Sequence, residues 1–127
     1  MSFCSTEITN FEFPVEEIED ARKNNKLLSM EIEFSLRCNF KCPYCYVGKE
    51  SDYEEELTKE EHKDTILQAK ELGAKKIIIL GGEPMIYPHI MEMIRFIDEL
   101  GLEIEMFTNG SKITPEVAKE LYERKVR

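Results

Sequence analysis

"KKIIILGGEP", residues 75–84, sets four aliphatic side chains in a row, three of them β-branched, ahead of two glycines, an acid and a proline. A run that short and that apolar suits a strand buried on both faces, as in a parallel sheet. The glycines stop it, which places Gly81, Gly82 and Glu83 at the strand's carboxyl edge. What flanks this strand decides the fold.

Before it, "LTKEEHKDTILQAKELG" (57–73) carries Thr58 with Glu61 three residues on, a capping box that opens a helix, and Gly73 where the helix should close. After it, "PHIMEMIRFIDELG" (88–101) puts Ile90, Met93, Ile94, Ile97 and Leu100 on one helical stripe and stops at Gly101. "LEIEMFT" (102–108) reads as another strand, followed by Asn109 and Gly110. Thr114 and Pro115 supply the cap and first position of a further helix, and "VR" (126–127) looks like the start of a fourth strand. Upstream, "LLSMEIEFSL" (27–36) alternates, with Leu28, Met30, Ile32 and Phe34 on one face and Ser29, Glu31, Glu33 and Ser35 on the other. "PVEEIEDARKNNK" (14–26) reads as a short helix, and residues 1–13 as a surface-packed extension.

Strand and helix therefore alternate three times, which means parallel strands joined by crossovers, an α/β fold. Three motifs follow directly on three strands: a cysteine cluster, "GGEP" and "TNG". In parallel α/β folds that carboxyl edge is where sites are built.

Composition narrows the partners. The formal charge of 17 − 26 = −9 is spread in mixed Glu/Lys runs, which repels phosphate backbones and argues against nucleic acid. No apolar run approaches a membrane span, and the first twenty residues show no basic-then-apolar secretory pattern, so a cytoplasmic, reducing compartment is expected. There, three clustered cysteines favour metal or redox chemistry over a disulfide framework.

The cysteines lie in "CNFKCPYC" (38–45), spaced Cys-x3-Cys-x2-Cys. Three readings compete. Incidental thiols would be hard to reconcile with three cysteines in eight positions. A dithiol, Cys42 with Cys45, matches the CPYC of glutaredoxins, but "VGKESDYEEE" (47–56) is a poor helix start for a thiolate, no later Thr-Val-Pro-like turn exists, and Cys38 is left unexplained. A metal is the third reading. Structural zinc wants four ligands; His62 and His89 are expected as helix-surface histidines and Cys4 as incidental. Three thiolates with one position open fit an iron–sulfur cube whose last iron is free, with Arg37 and Lys41 tempering the negative charge.

Taken with GGEP and TNG, this spacing resembles the N-terminal part of a radical S-adenosylmethionine (SAM) enzyme, over roughly residues 28–127. The resemblance implies a partial (β/α)6 TIM-like barrel with a parallel sheet, of which the three units here make the N-terminal half. The chain is accordingly expected to be an N-terminal piece of a longer enzyme: an extension with a short helix over 1–27, as in peptide-modifying and molybdopterin-type members, then the core over 28–127. It implies a [4Fe–4S] cluster on Cys38, Cys42 and Cys45, with SAM chelating the open iron. Tyr44 would lie against the adenine, mostly through its backbone, although its ring could instead be a core aromatic. Gly81, Gly82 and Glu83 would receive the methionyl ammonium, the glycines by letting the ligand approach the backbone. Thr108 and Asn109 would face SAM or substrate. The implied chemistry is reductive cleavage of SAM to a 5′-deoxyadenosyl radical that takes hydrogen from a substrate, possibly a peptide or a small biosynthetic precursor, with electrons from a donor such as flavodoxin or ferredoxin. No general acid–base pair is visible and none is required. A non-catalytic iron–sulfur or zinc module stays open as the alternative, with a CPYC dithiol oxidoreductase behind it.

Overall fold

A computed structural model describes residues 13–47 and 55–127 of the chain. Its framework is a three-stranded parallel sheet in the order β1-β2-β3, with β1 at Ser29–Glu33, β2 at Lys76–Leu80 and β3 at Glu103–Met106. Residues 1–12, including Cys4 and nearly all of the expected surface extension, and residues 48–54 of the acid run lie outside the described residues. The helices are α1 (Val15–Lys23), α2 (Lys59–Glu71), α3 (Ile90–Glu99) and α4 (Pro115–Glu123), with a short 3-10 turn at Pro84–Ile86 between β2 and α3.

Local sequence accounts for most of these boundaries. Thr58 and Glu61 form the reciprocal capping box: the Glu61 N–H donates to Thr58 Oγ1 at 3.2 Å and the Thr58 N–H donates to Glu61 Oε2 at 2.7 Å. Thr114 caps α4 by accepting from the Val117 N–H, with Pro115 at the first helical position. Beyond α2, Gly73 takes φ +106°, a left-handed turn that an L side chain rarely adopts.

The register Met30↔Ile77↔Ile104 puts one aliphatic row under the helices. Ile77, Ile79, Ile66, Met93, Ile94 and Ile97 are fully buried there, and Ile32, Phe34, Ile104 and Leu121 complete the core. Burying each such side chain contributes on the order of 1.5–3 kcal/mol, so this single seam dominates the stability. Complete burial of β2 on both faces does not hold among the described residues. Ile78 and Leu80 point to the opposite face and are half-buried, flanked by Glu31 and Glu105 and by Glu33. Among the described residues the helices pack on the face that buries Ile77 and Ile79, and the opposite face carries charge.

His62 departs from its expected place on the helix surface. It is 3% exposed, in edge contact with Phe34 at 5.0 Å and near Tyr87 at 6.1 Å, and its Nε2 has no partner among the described residues. Burial lowers its pKa, which keeps the ring neutral among the aromatics. The helical register turns position 62 inward beside Ile66 and Ala69, and pattern reading treats any histidine as polar. His89 precedes α3 and is exposed, in keeping with expectation.

"VR" (126–127), read as the start of a fourth strand, forms no strand of its own, although its backbone bonds to β3. The Arg127 N–H donates to the Ile104 carbonyl at 3.0 Å and the Met106 N–H to the Arg127 carbonyl at 2.6 Å, so the chain lies along β3's outer edge. No helix among the described residues is long and apolar enough to cross a membrane.

An ion cluster ties α3 to α4. Arg95 grips Glu120 through Nε at 2.6 Å and Nη2 at 2.9 Å, while Arg124 bonds both Glu120 and Asp98. The Arg95 bond first, then Arg124, holds the Glu120 carboxyl down at about 2, against an ordinary 4.5. A depressed carboxylate stabilises fully above its unfolded value, and the contribution vanishes as pH falls through its folded one. Denaturation midpoints measured from pH 7 to pH 2 should therefore drop between about 4.5 and about 2, and Glu120→Gln should flatten that drop. Equal slopes in the two proteins would show that the cluster is screened to nothing.

Candidate functional site

All three motifs meet at the carboxyl edge of the sheet, and backbone contacts bring them together. Past β1 the chain runs over the GG turn: the Gly82 N–H donates to the Ser35 carbonyl at 3.2 Å and the Glu83 N–H to the Arg37 carbonyl at 2.8 Å. The approach leaves no room for a side chain. A Cβ on Gly82 would stand 2.1 Å from the Arg37 oxygen, and one on Gly81, where φ is +125°, would stand 2.4 Å from the Ser35 oxygen. What presses on the glycine Cα positions is thus the chain's own backbone, whereas the sequence suggested an approaching ligand.

Ser35, buried, anchors the entry to the cysteine loop. Its Oγ donates to Glu56 Oε1 at 2.6 Å and accepts from the Arg37 N–H at 3.2 Å; Glu56 also meets Arg37 Nε at 3.5 Å. At the loop's far end the Tyr46 hydroxyl donates to Glu33 Oε1 at 2.7 Å, and this bond, ahead of burial, pushes the phenol up to about 12. The loop is held at both ends.

Between those ends Cys38, Cys42 and Cys45 are free thiols, Cys38 and Cys45 exposed and Cys42 half-buried. Cys42–Cys45 is a turn closed by the Cys45 N–H on the Cys42 carbonyl at 3.2 Å, not the first turn of a helix, so the pair lacks the dipole a glutaredoxin-type thiolate uses. Among the described residues no three Cys, His, Asp or Glu side chains converge on a point that one metal ion could occupy. A tetrahedral zinc would need such convergence. A cube takes one thiolate on each of three irons, and three free thiols on one accessible loop are that donor set. Tyr44 is 88% exposed beside Cys45, which removes it from the core.

Glu83 is 1% exposed. Its carboxylate does not reach out toward a ligand ammonium, as the motif suggested. Oε1 accepts from the Met85 N–H at 3.0 Å and from the Thr108 hydroxyl at 2.5 Å, and Oε2 accepts from the Asn109 N–H at 2.6 Å. A buried carboxylate must find donors, and these come from the turn it opens and from the loop after β3. Thr108 accepts in turn from the Gly110 N–H at 3.1 Å, and Asn109 Oδ1 accepts from the Ser111 N–H at 3.0 Å and the Ser111 hydroxyl at 2.7 Å. Asn109 Nδ2 donates to Asn39 Oδ1 at 3.0 Å, and Asn39 Nδ2 donates to Ser111 Oγ at 2.9 Å. The side chains of Glu83, Thr108 and Asn109 are thus engaged with protein partners and the Gly82 N–H is taken by the Ser35 carbonyl, which leaves the exposed thiols of the cysteine loop as the open part of the edge. Ser35, Asn39, Tyr46, Glu56 and Ser111 carry no motif; only adjacency to the cysteines and to TNG marked Asn39, Tyr46 and Ser111.

Residues 32–127 match the Radical SAM superfamily, and the chain belongs to it. Its curated relatives include the Fe-coproporphyrin III synthase of Methanosarcina barkeri, 32% identical over 87% of this chain and 31% of that protein. The PqqA peptide cyclase of Streptomyces rochei is 37% identical over 76% of this chain and 27% of that protein. Among solved structures, SuiB of Streptococcus suis bound to its precursor peptide SuiA superposes with a TM-score of 0.67 at 26% identity, covering 84% of this chain and 25% of that one. The chain spans under a third of the length of these relatives, and its parallel α/β sheet lies in the part that superposes on SuiB.

Two substitutions and one control test the frame. Gly82→Ala should cost about 1–3 kcal/mol, because the methyl group meets backbone that cannot swing aside. Gly101→Ala, with nothing within 4 Å, should show only its backbone strain at φ +78°. Glu83→Gln should cost about 1–3 kcal/mol, since its amide group would turn a donor toward protein donors. Chemical-denaturation midpoints measure both, and an unchanged Glu83→Gln midpoint would refute the buried acceptor role.

Proposed function

We propose that the chain is the N-terminal part of a radical SAM enzyme core, with residues 1–27 as an extension and 28–127 as the first three units of the barrel. Cys38, Cys42 and Cys45 hold a [4Fe–4S] cluster, and SAM lies over the edge formed by the backbone of Gly81 and Gly82 with Tyr44 beside it. The observation that carries this reading is the placement of three free thiols on one loop, docked by backbone hydrogen bonds on the GGE turn of a chain that belongs to the superfamily.

When bound, the cluster and SAM supply reductive cleavage of the sulfonium and a 5′-deoxyadenosyl radical for hydrogen abstraction. The protein's own residues do the positioning. Gly82 lets the cysteine loop settle against the turn, and Glu83 braces that turn from beneath. Thr108 and Asn109 join the brace through the Thr108 hydroxyl and the Asn109 N–H, and so act on SAM through the shape of the edge. The exposed ring of Tyr44 is free to cover the adenine. Arg37 and Lys41, both exposed beside the thiols, offset the charge of three thiolates. The relatives' names favour a peptide or a small biosynthetic precursor as substrate, bound with residues that follow this part of the barrel. A flavodoxin- or ferredoxin-type donor supplies the electron, and free exposed thiols suit the reducing cytoplasm.

Anaerobic reconstitution of the full-length protein tests the reading. A brown protein containing iron and sulfide, and forming 5′-deoxyadenosine from SAM, is expected. Single Ala replacements of Cys38, Cys42 or Cys45 should each abolish the cluster, and Cys4→Ala should spare it. Full iron in any of the three loop variants, or a colourless zinc-loaded protein, would overturn it.

A further inference from the structure

Asn39 stands between the first two cysteines and Ser111 just beyond TNG, 72 residues later. Their side chains close a three-membered ring with Asn109: Asn109 Nδ2 to Asn39 Oδ1 at 3.0 Å, Asn39 Nδ2 to Ser111 Oγ at 2.9 Å, and Ser111 Oγ to Asn109 Oδ1 at 2.7 Å. Every member is both donor and acceptor, so each bond polarises the next. The ring itself is exposed, but it continues inward. The Asn109 N–H reaches the buried carboxylate of Glu83, whose own N–H holds the Arg37 carbonyl one residue before Cys38. The thiol loop is therefore clamped on both sides of Cys38, by backbone at Arg37 and by side chain at Asn39.

We infer that Asn39 and Ser111 are positioning residues, which close a clasp between the cysteine loop and the loop after β3 and set the frame of the thiols before any metal arrives. This rests on the reading of the three cysteines as cluster ligands, and gives it a mechanical basis. The thiols themselves have few partners in the loop: the Phe40 N–H donates to Cys38 Sγ at 3.3 Å, and Cys42 and Cys45 share one turn bond. Most of what fixes the first half of the loop is thus the clasp. Without it, Asn39–Lys41 would hang from Arg37 as an open segment.

The clasp can be read without a loaded cluster. In the metal-free full chain, amide exchange across residues 38–46 should quicken roughly tenfold in Asn39→Ala, as expected for losing two net hydrogen bonds, while exchange in β1, β2 and β3 stays at the wild-type rate. Ser111→Ala should quicken the same segment, Ser111→Thr, which keeps the hydroxyl, should restore it, and the double variant should be less than additive, because the bonds belong to one ring. Unchanged exchange in Asn39→Ala, strictly additive effects, or faster exchange throughout the sheet would each overturn the inference. On reconstitution the variants should bind fewer irons at limiting iron than wild type does. Wild-type protein that takes up no iron, with the loop still loosened by Asn39→Ala, would strike down the cluster reading and leave the clasp standing.

Discussion

The constraint on which the carboxyl edge depends is the passage of one backbone over another, where the Arg37 carbonyl rests on Gly82. The N–H of Glu83 donates to that same carbonyl, so contact and hydrogen bond reinforce each other. Everything at the carboxyl edge takes its position from this crossing. It fixes the height at which the cysteine loop leaves β1, and it forces glycine at 82. It also turns Glu83 inward, where a carboxylate must be satisfied by whatever donors the neighbouring strand supplies. Thr108 and Asn109 supply them, which is why the third motif lies where it does.

The residues that hold the edge together and the groups left facing outward are different sets. Glu83, Thr108, Asn109, Asn39 and Ser111 spend their hydrogen-bonding capacity on one another, with Ser35 and Glu56 doing the same at the loop's entry. What remains open is the sulfur of the cysteine loop. Binding groups supported this way are preorganised, because neither the turn nor the loop has to find its place when a ligand comes. The cost is inflexibility toward sequence change in residues whose side chains are engaged with one another.

Much of the fold was legible beforehand, for identifiable reasons. The alternation of 27–36, the apolar run at 77–80 and the stripe from Ile90 to Leu100 each have one period and one outcome, and the capping box at Thr58 and Glu61 formed as its spacing requires. The misreadings share a cause. His62 counted as polar and was set on the surface, although a neutral imidazole among Phe34 and Tyr87 packs as an aromatic. Ile78 and Leu80 counted as buried because apolar residues are presumed to be inside, yet among the described residues they are half-buried beside Glu31, Glu33 and Glu105. The site was legible as three motifs at one edge. Its internal wiring was not, since the partners of Glu83 and Asn39 come from about 25 and 70 residues away and nothing local encodes such pairings.

That separation has a consequence in time. The thiols at 38–45 leave the ribosome well before Asn109 and Ser111, and synthesis at about 5–20 residues per second puts roughly 4–14 seconds between them. Throughout that interval the loop is a tether of reactive sulfurs without its far support, and contacts of such long range are the last to be made. The nascent chain therefore passes through a window in which the cysteines are open to oxidation. Its length is fixed by where the third strand falls in the gene, not by the chemistry of the loop. The reducing power of the surroundings during translation thereby becomes part of how this edge is built.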